Sequence, residues 1–78
     1  MKRYFMVTDS LTNVISARIK LYDASIISGA DFDVEDVELG AMHDSYFVCI
    51  RGTNKEISYF ICYLILKGLK VEEFWTDF

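Results

Sequence analysis

The residues with the most obvious catalytic potential are consecutive: His43, Asp44 and Ser45. These types could form a triad, in which a histidine takes the serine proton and a carboxylate orients the histidine. Each pair must lie within hydrogen-bond reach, whereas adjacent residues at a strand end point to opposite sides of the backbone. We therefore interpret His43 as a turn residue. Cys49 is the other potential nucleophile, but it shares a strand face with Phe47 and has no flanking cation, which favours a core thiol.

Metal and anion chemistry have little support in the sequence. One histidine and two cysteines, Cys49 and Cys62, do not provide the ligand spacing of a structural zinc site. Residues 51–54 place an arginine and free backbone amides at a predicted helix start, which makes Arg51 and Thr53 a candidate anion site. The segment lacks the glycine pattern of a phosphate-binding loop. We expect no metal and no cofactor, and we predict that the protein is not an enzyme.

An acidic run, DFDVEDVE, contains Asp31, Asp33, Glu35, Asp36 and Glu38. A calcium loop needs glycine at its sixth position and glutamate at its twelfth, where this chain has Asp36 and Met42. Clustered carboxylates can instead attract a basic protein partner over long range. They can also protect an exposed edge strand against aggregation. We predict a partner-binding acidic surface, with a solvated edge strand as the alternative.

Size and composition restrict the class of protein. A chain of 78 residues is predicted to form one domain, residues 1–78. Because 53% of the residues are apolar, and so small a domain buries only about 60–65% of its unfolded surface, some apolar surface should remain exposed or be covered by a partner. The net charge of −4 argues against direct binding to nucleic acid, where lysine and arginine must neutralise phosphates.

The N-terminal segment and the cysteines predict the cellular setting. The start MKRYFMVTDS turns polar before an apolar signal region can form, so we expect neither a signal peptide nor a membrane anchor. Cys49 and Cys62 both lie in apolar segments, which is typical of reduced core thiols. The sequence therefore predicts a cytoplasmic protein that does not associate with membranes.

Alternation of apolar and polar residues predicts two hairpins. In ISARIKLY the period is two, and with RYFMVT before it, residues 3–8 and 14–22 are predicted to pair. Residues 23–35 show no clear pattern, and Ile26 and Ile27 are expected beneath the sheet. Residues 36–42 and 45–51 are predicted to form a second hairpin with a two-residue turn at positions 43 and 44. The alternative is a short helix that starts at position 33 and ends near position 40.

The clearest helix covers residues 54–67. Thr53 and Glu56 form a capping box, and Gly68 follows Lys67 as a terminating glycine follows a cation in the last turn. The run LKVEEFW then predicts a final strand, which completes a strand–helix–strand unit. We predict an α+β domain, with an antiparallel sheet of four or five strands packed on this one principal helix. The alternative is a ferredoxin-like βαββαβ fold, which requires residues 10–27 to be helical.

Residues 57–66, ISYFICYLIL, contain one polar residue, Ser58, and are too few to span a bilayer. One stripe of this helix should face the sheet, while the flanks need another cover. We predict that the cover is a second copy in a homodimer, the commonest closed assembly. The alternative is that residues 23–35 fold over the helix. The C-terminal aromatic residues are typical interface anchors. The predicted oligomer or docking surface consists of Tyr59, Tyr63, Leu66, Trp75 and Phe78.

The function predicted from these features is non-catalytic protein binding. A small acidic module could inhibit or regulate a basic or nucleic-acid-binding target protein, as a protein encoded by a phage or mobile element could do. The alternative is a small-molecule-sensing domain with a pocket between sheet and helix, in which Arg51 would supply a polar contact.

Overall fold

Two helices and four strands make up the fold. The computed structural model describes residues 1–9, 14–40 and 43–74, with residues 14–16 described by their backbone alone. The elements are β1 (Lys2–Asp9), α1 (Val14–Ser28), β2 (Asp31–Leu39), β3 (Asp44–Arg51), α2 (Asn54–Leu66) and β4 (Lys70–Phe74). This composition confirms the predicted α+β class.

The strand order in the sheet is β2-β3-β1-β4, and all neighbouring strands are antiparallel. It follows that β1 and β2 are parallel and flank β3, while β3 and β4 are parallel and flank β1. Each helix thus connects two parallel strands that are separated by a third strand. This is the split βαβ arrangement of ferredoxin-like folds, which was the alternative prediction from the sequence. The predicted strand–helix–strand unit after position 44 is present, with β1 inserted between its strands.

The first predicted hairpin is wrong, because residues 14–22 belong to helix α1. The buried side chains of α1 recur at helical spacing, at Ala17, Leu21 and Ala24, and they contact the core. Ile19 matches the strand alternation, but it is 54% exposed on the outer side of the helix. Ile26 is also exposed, so the expectation that it lies beneath the sheet is wrong. Small alanines in the buried stripe obscured the helical pattern.

The second predicted hairpin is confirmed, although its strands are longer and its turn lies earlier. β2 begins at Asp31, and the last residue pair of the hairpin is Leu39 with Asp44. The Gly40 N–H donates to the His43 carbonyl at 2.9 Å across the turn; residues 41–42 lie outside the described part. Asp44 therefore belongs to β3 and not to the turn. The alternative helix from position 33 is also wrong, because these residues pair with β3 throughout.

Helix α2 has the ends that the sequence predicts. The Thr53 hydroxyl accepts from the Glu56 N–H at 3.1 Å, and the Thr53 N–H donates to the Glu56 carboxylate at 2.8 Å. The hydrogen bond from the Thr53 N–H, followed by one from the Thr53 side chain, holds the pKa of the Glu56 carboxyl below its usual value. Such an N-cap stabilises a helix by about 1 kcal/mol. Lys67 caps the C-terminus, and Gly68 follows with a φ of 87°, which favours glycine.

Both helices pack on the same face of the sheet. The core between the layers joins the central strands to the buried stripe of each helix. The sequence predicted one principal helix, whereas α1 lies beside α2 and shares this role. Within the described residues, no helix covers the opposite face of the sheet. The fully buried large side chains are Val7, Leu21, Tyr46, Val48, Ile50, Ile57, Phe60 and Leu64.

Candidate docking surface on the open face of the sheet

An aromatic cluster lies on the sheet face opposite the helices. Tyr4 of β1 stacks on Phe47 of β3, with ring centroids 5.8 Å apart and an interplanar angle of 16°. Phe74 of β4 meets Phe47 edge-on, with centroids 5.6 Å apart and an angle of 77°. These are favourable aromatic geometries. Phe74 is 42% exposed, so the cluster presents apolar surface outward.

Strand alternation explains why these rings share one face. On β1, Phe5 and Val7 are buried beneath the helices, which directs Tyr4 to the other side of the strand. On β3, the partner of Tyr4 is Cys49, and Phe47 lies two residues away on the same side. We refer to the sheet side that carries these residues as the open face.

The acidic strand β2 borders this cluster at the edge of the sheet. Asp31, Asp33, Asp36 and Glu38 pair with residues of β3 that lie on the open face. A β-bulge between Val34 and Asp36 shifts the phase of the strand. As a result, Val34 and Val37 both pack against the core, although they are three positions apart in sequence and a regular strand would place them on opposite faces. Without the bulge, Asp36 and Glu38 would point toward the helices.

The carboxylates of β2 are only partly neutralised. Arg51 forms an ion pair with Asp33, and this hydrogen bond raises the pKa of the Arg51 guanidinium. Lys70 pairs with Glu72 on the opposite edge strand at 3.3 Å. Neither Asp36 nor Glu38 forms an ion pair with another described residue. The open face therefore combines an apolar centre with an excess of negative charge along β2.

The cysteine and tyrosine next to the acidic strand affect each other. Cys49 is a free, buried thiol on the open face. The pKa of the Tyr4 phenol is raised by the negative charge that Cys49 carries as a thiolate and by the hydrogen bond between the two side chains. The negative charge of Glu35 raises this pKa further. The Tyr4 phenol is therefore held in its neutral form and is engaged with Cys49 within the protein.

The three consecutive residues considered for a triad are separated in the fold. His43 is exposed in the turn, and Asp44 is buried. The Ser45 hydroxyl lies 3.3 Å from the Thr8 hydroxyl on the open face. Asp44 and Ser45 thus lie on opposite faces of β3, as alternation requires.

Arg51 and Thr53, the candidate anion site, make contacts within the protein. The Arg51 guanidinium is bonded to Asp33 on the open face, away from the helix start. The Thr53 N–H is already donated to Glu56. The anion site stays a prediction, and these two contacts do not favour it.

The predicted docking residues on α2 remain accessible. Tyr59 is 52% exposed and Leu66 is 83% exposed, while Tyr63 is half-buried. Trp75 and Phe78 lie outside the described residues. Cys62 is exposed, so the interpretation of both cysteines as core residues is wrong for this one.

A cleft lies between α2 and β4. Its volume is about 320 Å³, and Phe5, Ile61 and Val71 provide its apolar surface. Arg3 spans one side and donates two hydrogen bonds of 2.7 Å to the Glu73 carboxylate. The hydrogen bonds from Arg3 lower the pKa of Glu73. This volume is within the range of small-molecule sites.

Buried polar groups lie together where β1 ends and β3 begins. Asp9 pairs with Asp44 across the two strands, and the Lys20 ammonium lies 3.6 Å from the Asp9 carboxylate. The Tyr46 hydroxyl is buried and has no hydrogen-bond partner among the described residues. Burial, followed by the charge of Asp44, raises the pKa of Tyr46. The ion pair between Lys20 and Asp9 links α1 to the sheet.

The described residues contain neither a metal-binding cluster nor a membrane-spanning helix. Within residues 1–9, 14–40 and 43–74, no group of three or more His, Cys, Asp and Glu side chains could hold a metal ion. In the same part of the chain, no helix has the length and apolar character needed to cross a membrane.

Comparisons with known proteins identify the fold alone. No family model and no curated protein matches the sequence. The structure resembles the de novo designed protein Foldit4, with a TM-score of 0.69, 10% sequence identity, and coverage of 99% of this chain and 96% of that chain. It also resembles part of an amidase of the hydantoinase/carbamoylase family from Burkholderia phymatum, with a TM-score of 0.55 and 9% identity. That match covers 99% of this chain but 28% of the amidase.

Proposed function

We propose that this protein is a non-catalytic protein-binding module that binds a basic target protein through the open face of its sheet. The observation that carries the proposal is the position of the acidic strand beside an accessible aromatic cluster. Aromatic side chains are enriched at the centres of protein interfaces, and polar groups at their rims. The occupant would be a protein surface in which lysine or arginine residues adjoin apolar side chains.

Charge supports a protein partner over nucleic acid. Aromatic residues on an exposed sheet can stack on the bases of single-stranded RNA or DNA. Such binding also requires cations for the phosphates. Arg51 and Lys70 on this face are already paired with carboxylates, which leaves Lys2, at the start of β1, as the remaining cation that the described strands place on this face. The carboxylates of β2 would repel a phosphate backbone and attract a basic protein.

The target's chemistry gives the module a regulatory role. A protein that binds nucleic acid offers a basic surface, and a small acidic module on that surface would compete with the nucleic acid. The proposed protein is thus a cytoplasmic inhibitor or regulator, in the manner of proteins encoded by phages or mobile elements. It acts as a homodimer.

Charge reversal at one exposed aspartate tests the proposal. Asp36→Lys introduces a positive charge beside Phe47, its partner on β3, whereas Asp23→Lys makes the same change of net charge on helix α1. A target recovered with the wild-type protein is purified, and its affinity for each variant is measured at low and high salt. We expect Asp36→Lys to weaken binding about tenfold at low salt and less at high salt, because added ions screen the attraction. Asp23→Lys should have little effect.

Two results would contradict the proposal. One is equal weakening by both variants, because net charge alone would then explain the binding. The other is tight binding of single-stranded oligonucleotides to the wild-type protein, measured by fluorescence anisotropy, with loss of binding when Phe47 is replaced by alanine.

The cleft between α2 and β4 favours a second candidate function, small-molecule sensing. The sequence placed Arg51 in such a pocket, but Arg51 lies on the open face, and Arg3 is the arginine that lines the cleft. The carboxylate of a ligand could replace Glu73 as the hydrogen-bond partner of the Arg3 guanidinium. If so, small aromatic carboxylic acids should raise the melting temperature of the wild-type protein and not that of Arg3→Gln. No shift in the wild-type protein across such a series would count against a sensor.

A further inference from the structure

We infer that the second copy in the proposed homodimer binds the outer surface of the helix layer, so that the two open faces point away from each other. This inference rests on the proposed dimer and adds the location of its interface. We define the helix face by the outward-facing residues Ile26 and Ile27 of α1 and Tyr59, Tyr63 and Leu66 of α2.

The helix face exposes far more apolar surface than single scattered residues would. Leu66 is 83% exposed, Ile26 81% and Ile27 64%. A groove of about 380 Å³ between the helices is lined by Ile27, Tyr59, Cys62, Tyr63 and Leu66. Contiguous patches of this kind on small proteins mark interaction sites.

The charges near this groove lie at its ends. Residues 57–66 of α2 contain no charged side chain. The Lys55 ammonium lies 5.8 Å from the centre of the Tyr59 ring, and the Lys67 ammonium lies 5.5 Å from that of Tyr63. These lysines cover the rings with their apolar stems and keep their charges at the periphery. An apolar centre with a charged rim is the usual anatomy of a protein interface.

The available area is sufficient for a stable dimer. The molecule measures 34 × 29 × 16 Å, and the helix layer occupies one of its two broad faces. A face of that size exceeds the roughly 800 Å² per partner that a standard interface buries. The same patch on both copies can form a closed two-fold contact.

Charge selects the helix face over the open face as the dimer interface. Two open faces in contact would bring two surfaces with excess negative charge together, because Asp36 and Glu38 form no ion pair with another described residue. Like charges across an interface are costly. Residues 57–66 of α2 carry no such charge, so self-association centred on α2 avoids this cost. A dimer of this kind presents two target-binding faces and could bind a multivalent target with increased avidity.

Two matched variants test this inference by solution mass. Leu66→Glu places a carboxylate on the helix face, and Phe74→Glu places one on the open face; both residues are exposed. We expect the wild-type protein and Phe74→Glu to sediment at equilibrium with twice the 9.0 kDa chain mass, and Leu66→Glu to sediment as a monomer. Circular dichroism establishes that each variant is folded.

The outcomes separate this inference from the proposed function. A dimer that survives Leu66→Glu but dissociates with Phe74→Glu overturns the inference and places the interface on the open face. A wild-type protein that is monomeric at every concentration also overturns the inference. This holds even if the helix face then binds vesicles of anionic lipid. In the second case, tight binding of the target by Asp23→Lys and weakened binding by Asp36→Lys would still support the proposed protein-binding site, whereas a dimer through the open face would count against both proposals.

The Cys62 thiol provides a second measurement within the same samples. Cys62 lines the groove and is exposed, whereas Cys49 is buried. In a helix-face dimer, alkylation of Cys62 should become slower as the concentration of wild-type protein rises, and should be independent of concentration in Leu66→Glu. A rate in the wild-type protein that does not change with concentration, despite a dimeric mass, would exclude the groove from the interface.

Discussion

Replacement of Phe60 by alanine is expected to lower the free energy of unfolding by about 3–5 kcal/mol. The Phe60 ring is fully buried, and its centroid lies 5.8 Å from that of Phe32 on β2. Phe32 in turn meets Tyr22 of α1 edge-on at 5.2 Å. Loss of the Phe60 side chain would therefore leave a cavity where both helices meet the acidic strand. Single domains have only about 5–15 kcal/mol of stability, so the variant should be largely unfolded under mild denaturing conditions.

Urea denaturation followed by circular dichroism measures this effect. Tyr59→Ala is the matched control, because Tyr59 precedes Phe60 on the same helix but is half exposed. Both changes are made together with Leu66→Glu, so that dissociation of a dimer does not contribute to the result. A similar loss of stability in the two variants would mean that α2 does not pack on the sheet through Phe60.

Replacement of Phe47 by alanine is expected to weaken target binding at least about 30-fold, which corresponds to roughly 2 kcal/mol, the level of an interface hot spot. Phe47 is the central ring of the aromatic cluster, since it contacts both Tyr4 and Phe74. Its partner on β2 is Asp36, so it also joins the apolar centre to the acidic rim. Removal of this ring would leave the other two rings without their common neighbour.

Titration of the purified target against folded variants provides the measurement. Phe47→Leu preserves apolar volume and should retain part of the affinity, while Tyr59→Ala removes an aromatic ring from the helix face and should retain nearly all of it. Unchanged affinity in a folded Phe47→Ala variant would remove the aromatic cluster from the binding site.

The local signals in the sequence predict α2 and the second hairpin well. Thr53, Glu56 and Gly68 determine the ends of α2 through hydrogen bonds with near neighbours in the chain. Such contacts depend little on the rest of the fold. The short apolar run in SYFVCIR likewise predicts β3, because a continuous apolar run of this length is typical of a buried strand.

Helix α1 could not be recognised from its pattern alone. Ile19 and Ile26 are exposed, whereas Ala17 and Ala24 are buried. The large apolar residues thus lie on the outer side, and alternation from position 15 to position 21 fits a strand equally well. Tertiary packing against the sheet decides the structure of such a segment.

The open face depends on contacts that no local pattern reveals. Tyr4, Phe47 and Phe74 lie on three strands that are distant in sequence, so the strand order is needed to bring them together. The sequence does offer one signal: β1 and β3 have apolar residues at both odd and even positions. Such strands present apolar side chains on both faces of the sheet. The bulge that places Asp36 on this face arises from the pairing of β2 with β3, and it has no sequence signature here.

Photocrosslinking from the open face tests the central claim most directly. A benzophenone amino acid at position 74 reports what contacts the sheet in cells, and the same group at position 66 reports what contacts the helix face. We expect position 74 to yield a covalent adduct with a basic protein, identified by mass spectrometry, and Asp36→Lys to abolish that adduct. Adducts at position 74 with nucleic acid or with another copy of this chain, or a protein adduct indifferent to Asp36→Lys, would contradict the account.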